Sequence, residues 1–220
     1  MTDSATRTRA PRLRADATRN RERIVAAAQE AFVEFGPDVP LDEIARRAGV
    51  GNATLYRHFR DRQELSRSVV LSVFDTMATQ AETLLAGADR AFDALTQVVH
   101  GSVEWSVGAL CPMLAEWMDP GEPDLLGAQD RLDNAVEAII ELSQAEGSLR
   151  KDIGPGDILP VVAQIARPLP GADPANYETY VHRSLQLFLD GLRAPGCSVL
   201  PGRPITLLDL RRDCAEISQR

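Results

Sequence analysis

In the segment LDEIARRAGVGNATLYRHF, residues 41–59, hydrogen-bonding side chains gather at helical spacing: Thr54, Arg57 and His58 fall within about one turn, with Tyr56 beside them. A hydroxyl, a guanidinium, an imidazole and a phenol together offer donors to phosphate oxygens and groups that can meet the edges of bases. Asn52 and Ala53 open the same stretch, and Ala53 keeps its outward face small. Leu55 and Phe59 stand one turn apart, about 200° from Ala53 and Arg57, so the polar face and the apolar face are separate. Arg19 and Arg21, at the start of the helix upstream, are placed to touch the nucleic-acid backbone.

Short, firmly packed elements have to hold such a face. Leu41, Ile44, Ala45 and Ala48 recur at i, +3, +4 and +7 and predict a short helix that stops at Gly49, whose freedom at positive φ suits a sharp turn. A second helix follows at about 52–59, after three residues containing glycine, with Val50 packing under the turn. Two short helices so joined make the layout that places a second helix in a DNA major groove. Upstream, Ile24, Val25, Ala28, Ala31, Phe32 and Phe35 mark one face of a helix over 20–35, closed by Gly36-Pro37. Downstream, Asp61 caps a helix reaching about residue 85, with Glu64 as its capping-box partner. Helical patterns continue at 91–110, 113–118, 125–145, 158–167, 177–192 and 207–217, separated by proline and glycine breaks, and no stretch alternates as a strand would.

The residues Asp42, Ile44-Ala45, Ala48-Gly49-Val50, Thr54-Leu55-Tyr56, His58-Phe59 and Leu65 stand in register with the amino-terminal signature of the tetracycline-repressor (TetR) family, which this segment closely resembles over about residues 20–68. The resemblance implies an all-α fold: a three-helix module with a helix-turn-helix, followed by a multi-helix domain that binds ligand and dimerises. It also implies DNA contacts from Arg19, Arg46, Asn52, Ala53, Thr54, Tyr56, Arg57, His58 and Arg62. Three positions depart from the family pattern. Pro40 replaces the usual hydroxyl cap of the second helix, Gly51 replaces a serine before the recognition helix, and Arg62 stands where lysine is usual.

Composition agrees with this division. Residues 1–70 carry 13 arginines against 10 acids, and residues 71–220 carry 11 bases against 22 acids, so a basic head (+3) sits on an acidic body (−11). We expect an unstructured Arg-rich arm over 1–18, the DNA-binding module over 19–66 and the ligand-binding and dimerisation domain over 67–220. No apolar run reaches the roughly 18 residues that span a bilayer, so no membrane partner is expected. The widely spaced Cys111, Cys197 and Cys214 fit a reducing cytoplasm rather than a disulfide or zinc framework. Histidines are scattered at 58, 100 and 182, with no nucleophile elbow, zinc helix motif or phosphate-cradling loop. An all-helical enzyme is thus the weakest alternative, and a DNA-binding regulator without a small ligand the next. No cofactor or metal is expected.

Two further sites follow from side-chain type. Phe74, Met77, Trp105, Met113, Trp117 and Met118 gather much of the aromatic and thioether content of an aromatic-poor chain, with His100 and Glu104 as polar anchors. Such residues suit a cavity for a hydrophobic effector. Ile158, Val162 and Ile165, with Tyr177, Val181, Leu185, Phe188 and Leu192, recur at helical spacing and are expected to pair across a two-fold axis as a four-helix bundle.

Overall fold

The structure, a computed structural model of the 220-residue chain, describes residues 9–105, 110, 114, 121–167, 174–196 and 198–209. Among the described residues the fold is all-α, with eight helices: α1 (Arg9–Phe35), α2 (Leu41–Arg47), α3 (Asn52–His58), α4 (Arg62–Gly87), α5 (Ala91–Glu104), α6 (Pro123–Ala145), α7 (Pro155–Ile165) and α8 (Pro174–Leu192). Ladder-type pairing is limited there to an isolated bridge between Leu149 and Arg193.

The described residues form two compact units, one within Met1–Ser72 and Leu110–Asp119, the other within Val73–Ala109 and Pro120–Arg220. The division falls inside α4, six residues beyond the boundary expected at 66, so the backbone of one helix runs through both units.

In the first unit α1, α2 and α3 pack on one another. The expected apolar faces are the buried ones: Ile24, Ala28, Ala31 and Phe32 from α1, Ile44 and Ala45 from α2, and Leu55 from α3, with Phe59 closing the centre. Each large side chain so buried contributes about 1.5–3 kcal/mol. Helix α1 corrects the expected unstructured arm, because residues 9–18 are already helical. Arginine, alanine and leucine are strong helix formers, and Pro11 sits in the first turn, where its missing N–H costs no intrahelical bond. Residues 1–8 lie outside the described residues, as do all but Leu114 of the expected helix at 113–118 and all but 207–209 of the last one.

In the second unit α5 packs on α6, α7 and α8 around Phe92, Leu95, Val99, Val136, Ile139, Ile158, Leu185 and Leu189. The carboxylate of Glu146, just past α6, accepts the first backbone N–H of α5, that of Ala91, at 3.1 and 3.2 Å. Arg131 of α6 binds Asp75, Thr79 and Glu82, all on α4. Three helices start earlier than expected, on Pro123, Pro155 and Pro174, because proline's fixed φ suits a first helical turn.

Candidate nucleic-acid interface

Helix α3 is held from one side and open on the other. Leu55 and Phe59 are fully buried, whereas Asn52, Ala53, Tyr56 and Arg57 are exposed and Thr54 and His58 half-buried. Tyr56 leaves 52% of its surface to solvent, which frees its phenol for a partner. Arg57 folds along its own helix: its Nε donates to the Ala53 carbonyl at 3.2 Å and a terminal nitrogen donates to Thr54 Oγ1 at 2.9 Å. These are exposed local bonds that a phosphate or base edge can replace.

The turn into α3 is fixed by Gly49 at φ +63° and by Arg23 of α1, whose guanidinium donates to the carbonyl of Ala48. The positive φ favours glycine there, and a Cβ at that position would lie 2.7 Å from the guanidinium and push it off the Ala48 carbonyl. Pro40 and Gly51 occupy the N-caps of α2 and α3, and neither helix has a side-chain cap bond. Asp61 caps α4 as expected, accepting the Glu64 N–H at 2.8 Å, while the Glu64 carboxylate reaches back to the Arg60 N–H at 2.8 Å. That backbone bond, with the Arg60 guanidinium second, holds the Asp61 carboxyl below its ordinary range.

Electrostatics separate the basic residues into two groups. On α2, Glu43 accepts a two-pronged bond from Arg46 at 2.6 and 2.8 Å and one from Arg47 at 3.3 Å. The Arg46 bond is the largest cause of a Glu43 pKa lowered to about 2. Arg47 also pairs with Glu34 at 2.6 Å and lies over the Phe35 ring. Arg46 remains 72% exposed beside its carboxylate, so it can still reach DNA. Arg62 is held by the backbone instead. Its guanidinium donates to the carbonyls of Pro37 and, at 2.6 Å, Val39, tying the α1–α2 connection to the start of α4. The guanidinium expected to grip phosphate thus clasps two backbone carbonyls. Arg19 pairs with Asp16 on the exposed surface of α1. Arg21, expected beside Arg19 to touch the DNA backbone, instead lies 5.1 Å over the Phe59 ring and donates to Ser68 Oγ at 2.8 Å.

The family model described as "Bacterial regulatory proteins, tetR family" matches residues 24–69, and that described as "Transcriptional regulator SbtR-like, C-terminal domain" matches residues 92–194. A TetR transcription regulatory protein of Mycobacterium vanbaalenii is similar at 30% identity, over 83% of this chain and 99% of its own, with a TM-score of 0.60. The chain belongs to the TetR family. A TetR transcriptional regulator of Streptomyces coelicolor is similar at 29% identity over 80% of this chain and 99% of its own, with a TM-score of 0.64. An HTH-type transcriptional regulator of Staphylococcus aureus is 39% identical over 69 residues, 31% of this chain and 37% of its own length. The chain spans less than half the length of the curated relatives it matches first.

The second unit of this TetR-family chain rearranges the other two expected sites. Of the effector residues, Met77 is buried, Phe74 and Trp105 are half-buried and Glu104 is exposed, while Met113, Trp117 and Met118 lie outside the described residues. His100 reaches across to α8. Its Nδ1 meets His182 Nδ1 at 2.8 Å and its Nε2 meets Gln186 Oε1 at 3.3 Å, both on α8, a link that the scattered histidine positions concealed. An open recess of about 390 Å³ lined by Leu149, Arg150, Lys151, Ala194, Pro195 and Val199 contains none of the expected effector residues.

Of the expected dimer residues, Ile158, Val162, Val181, Leu185 and Leu192 are buried within the protomer. Their stripe is the inner line of each helix. Ile165, Tyr177 and Phe188 are half-buried, and the Tyr177 hydroxyl donates to the Ala166 carbonyl at 2.7 Å. The outer line of α8 is Tyr180, Ser184, Leu187 and Gly191, all exposed, and α7 adds exposed Val161. No helix among the described residues is long and apolar enough to cross a membrane.

Proposed function

We propose that this TetR-family chain is a homodimeric transcriptional repressor that binds a palindromic operator through α3 and releases it on binding a small hydrophobic effector. The observation that carries the reading is the exposed, mixed-chemistry face of α3, with Tyr56, Arg57, Asn52 and Ala53 outward, anchored through Leu55 and Phe59. Arg46 extends this face onto α2. Tyr56 and Arg46 contact phosphates, which set register, while Thr54 and Arg57 reach base edges.

Two such faces must stand about 34–36 Å apart to enter successive major grooves. A second copy docking on the outer lines of α7 and α8 supplies the two-fold axis: Leu187 and Tyr180 bring apolar area, and Ser184 and Gly191 are small enough for close helix approach. The effector acts by its differential affinity for the DNA-competent and DNA-released states. Helix α4, whose backbone belongs to both units, carries the shift. The protein works in the cytoplasm and is not an enzyme.

Fluorescence anisotropy with duplexes from the chain's own promoter region tests the reading. Binding to an inverted repeat, lost on adding a compound that also raises the melting temperature, supports it. Binding that no stabilising compound releases favours a regulator without a small ligand, and absence of duplex binding sinks both.

A further inference from the structure

Beyond Ala194 the chain passes the end of the matched carboxy-terminal family region, and the two solved relatives described above are covered almost completely while leaving about a fifth of this chain unmatched. Residues 198–209 are nevertheless docked on the same unit. Arg150, nearly buried, donates to the Ser198 carbonyl at 2.7 Å. Farther on, the Ile205 carbonyl accepts the Gly156 N–H at 2.9 Å, and the Ile205 N–H donates to Asp157 Oδ2 at 3.0 Å. Asp157 holds the Gly154 N–H at 2.8 Å with the same oxygen, so one carboxylate ties the first turn of α7 to the tail.

Space is reserved for this segment. A Cβ at Gly154 would lie 2.5 Å from the Ile205 carbonyl oxygen, and one at Gly156 would lie 2.5 Å from Ile205 Cγ2 and 2.7 Å from its oxygen. Gly196 abuts the Arg150 guanidinium, where a Cβ would lie 2.8 Å from Cζ. The tail also holds its own shape. Arg203 forks onto Asp209 with two bonds of 2.8 Å, and Thr206 and Asp209 cap each other reciprocally. A pre-shaped hook therefore meets a cleft floored by glycines, with backbone donor and acceptor both satisfied.

We propose that the first turn of α7 is a docking site for an extended aliphatic segment, filled by the chain's own residues 203–206, and that this docking holds α7 for pairing with a second copy of the chain. The pairing role rests on the dimer reading above, because α7 carries exposed Val161 of the partner-facing surface. The ligand chemistry is a β-branched residue presenting a free backbone N–H and C=O, the mode by which extended peptides are held through main-chain bonds and one side-chain pocket.

Gly156→Ala in the full chain is the test. Position 156 lies inside a helix, where alanine is preferred to glycine, so the substitution favours α7 itself while its methyl expels Ile205. Amide hydrogen exchange over 198–209 should rise about tenfold or more, with the interior of α7 as protected as before. The dimer dissociation constant should rise with it. Gly127→Ala on α6, where nothing lies within 4 Å of the added carbon, is the matched control and should leave tail exchange unchanged. Unchanged protection of the tail in Gly156→Ala, or equal loosening in Gly127→Ala, overturns the docking site. A loosened tail with unchanged dimer affinity overturns the pairing role. A monomeric native chain overturns that role together with the dimer reading, while tail exchange still decides the docking site.

Discussion

Replacing Arg62 by methionine separates a structural arginine from a DNA contact. The substitution keeps the length and packing of the stem but removes both bonds to the carbonyls of Pro37 and Val39. A hydrogen bond to a charged group contributes about 1.5–3 kcal/mol, and part of the loss is recovered as water reaches the half-buried Pro37 carbonyl. Val39 itself is buried, so its carbonyl is the harder one to rehydrate. The first unit should therefore lose about 2–3 kcal/mol. Because the chain has two units, the sensitive measurement is hydrogen exchange of α1 and α2 amides, expected to quicken roughly thirty- to hundred-fold. Operator binding should weaken only through this loosening, with an unchanged slope of log affinity against log salt, since no phosphate contact is removed. Unchanged exchange together with a slope shallower by about one unit would falsify the clasp and restore Arg62 as a phosphate contact.

Arg57→Ala and Tyr56→Phe should each weaken operator binding with unaltered circular dichroism, and loss of a phosphate contact by either should flatten the salt slope by about one unit. Gly49→Ala should destabilise the first unit by about 1–2 kcal/mol from its positive φ alone, and more through displacement of Arg23, read as faster exchange in α3. The Glu43 carboxyl, held at about 2 by its bonds to Arg46 and Arg47 against an ordinary 4.5, adds stability that is complete above pH 4.5 and lost as pH falls toward 2. Glu43→Gln should therefore flatten the acid side of the first unit's stability profile, and an identical profile in both proteins would refute the ion network. Leu187→Glu, at a 65% exposed position, should yield a folded monomer by light scattering, whereas Leu185→Glu, fully buried, should unfold the second unit.

The helix-turn-helix was legible because its chemistry is local. Ile44, Ala45, Leu55 and Phe59 bury at the spacing that the sequence displays, and Gly49 takes the positive φ that its place between two short helices requires. The same local logic misplaced helix starts where proline looked like a break. Pro123, Pro155 and Pro174 each open a helix, since a residue without an N–H ends one element and begins the next equally well.

Arg62 shows where local reading stops. Its type and position beside the recognition helix argue for phosphate, and only the fold brings two backbone carbonyls from 23 and 25 residues upstream within its reach. The same holds for His100 and His182, 82 residues apart, each unremarkable on its own helix yet joined through Nδ1 atoms. The apolar stripes of α7 and α8 fail for a different reason. A stripe wide enough to serve both a core and a partner is continuous in sequence, and periodicity cannot say where one surface gives way to the other. Burial decides it: Val181, Leu185 and Leu189 take the inside, and Tyr180 and Leu187, one and two residues away from them, are left facing out. A partner surface is thus read as the remainder after the core is filled, and the proposed partner-facing residues stand about 100° (Tyr180, from Val181) and about 200° (Leu187, from Leu185) around α8 from the buried line.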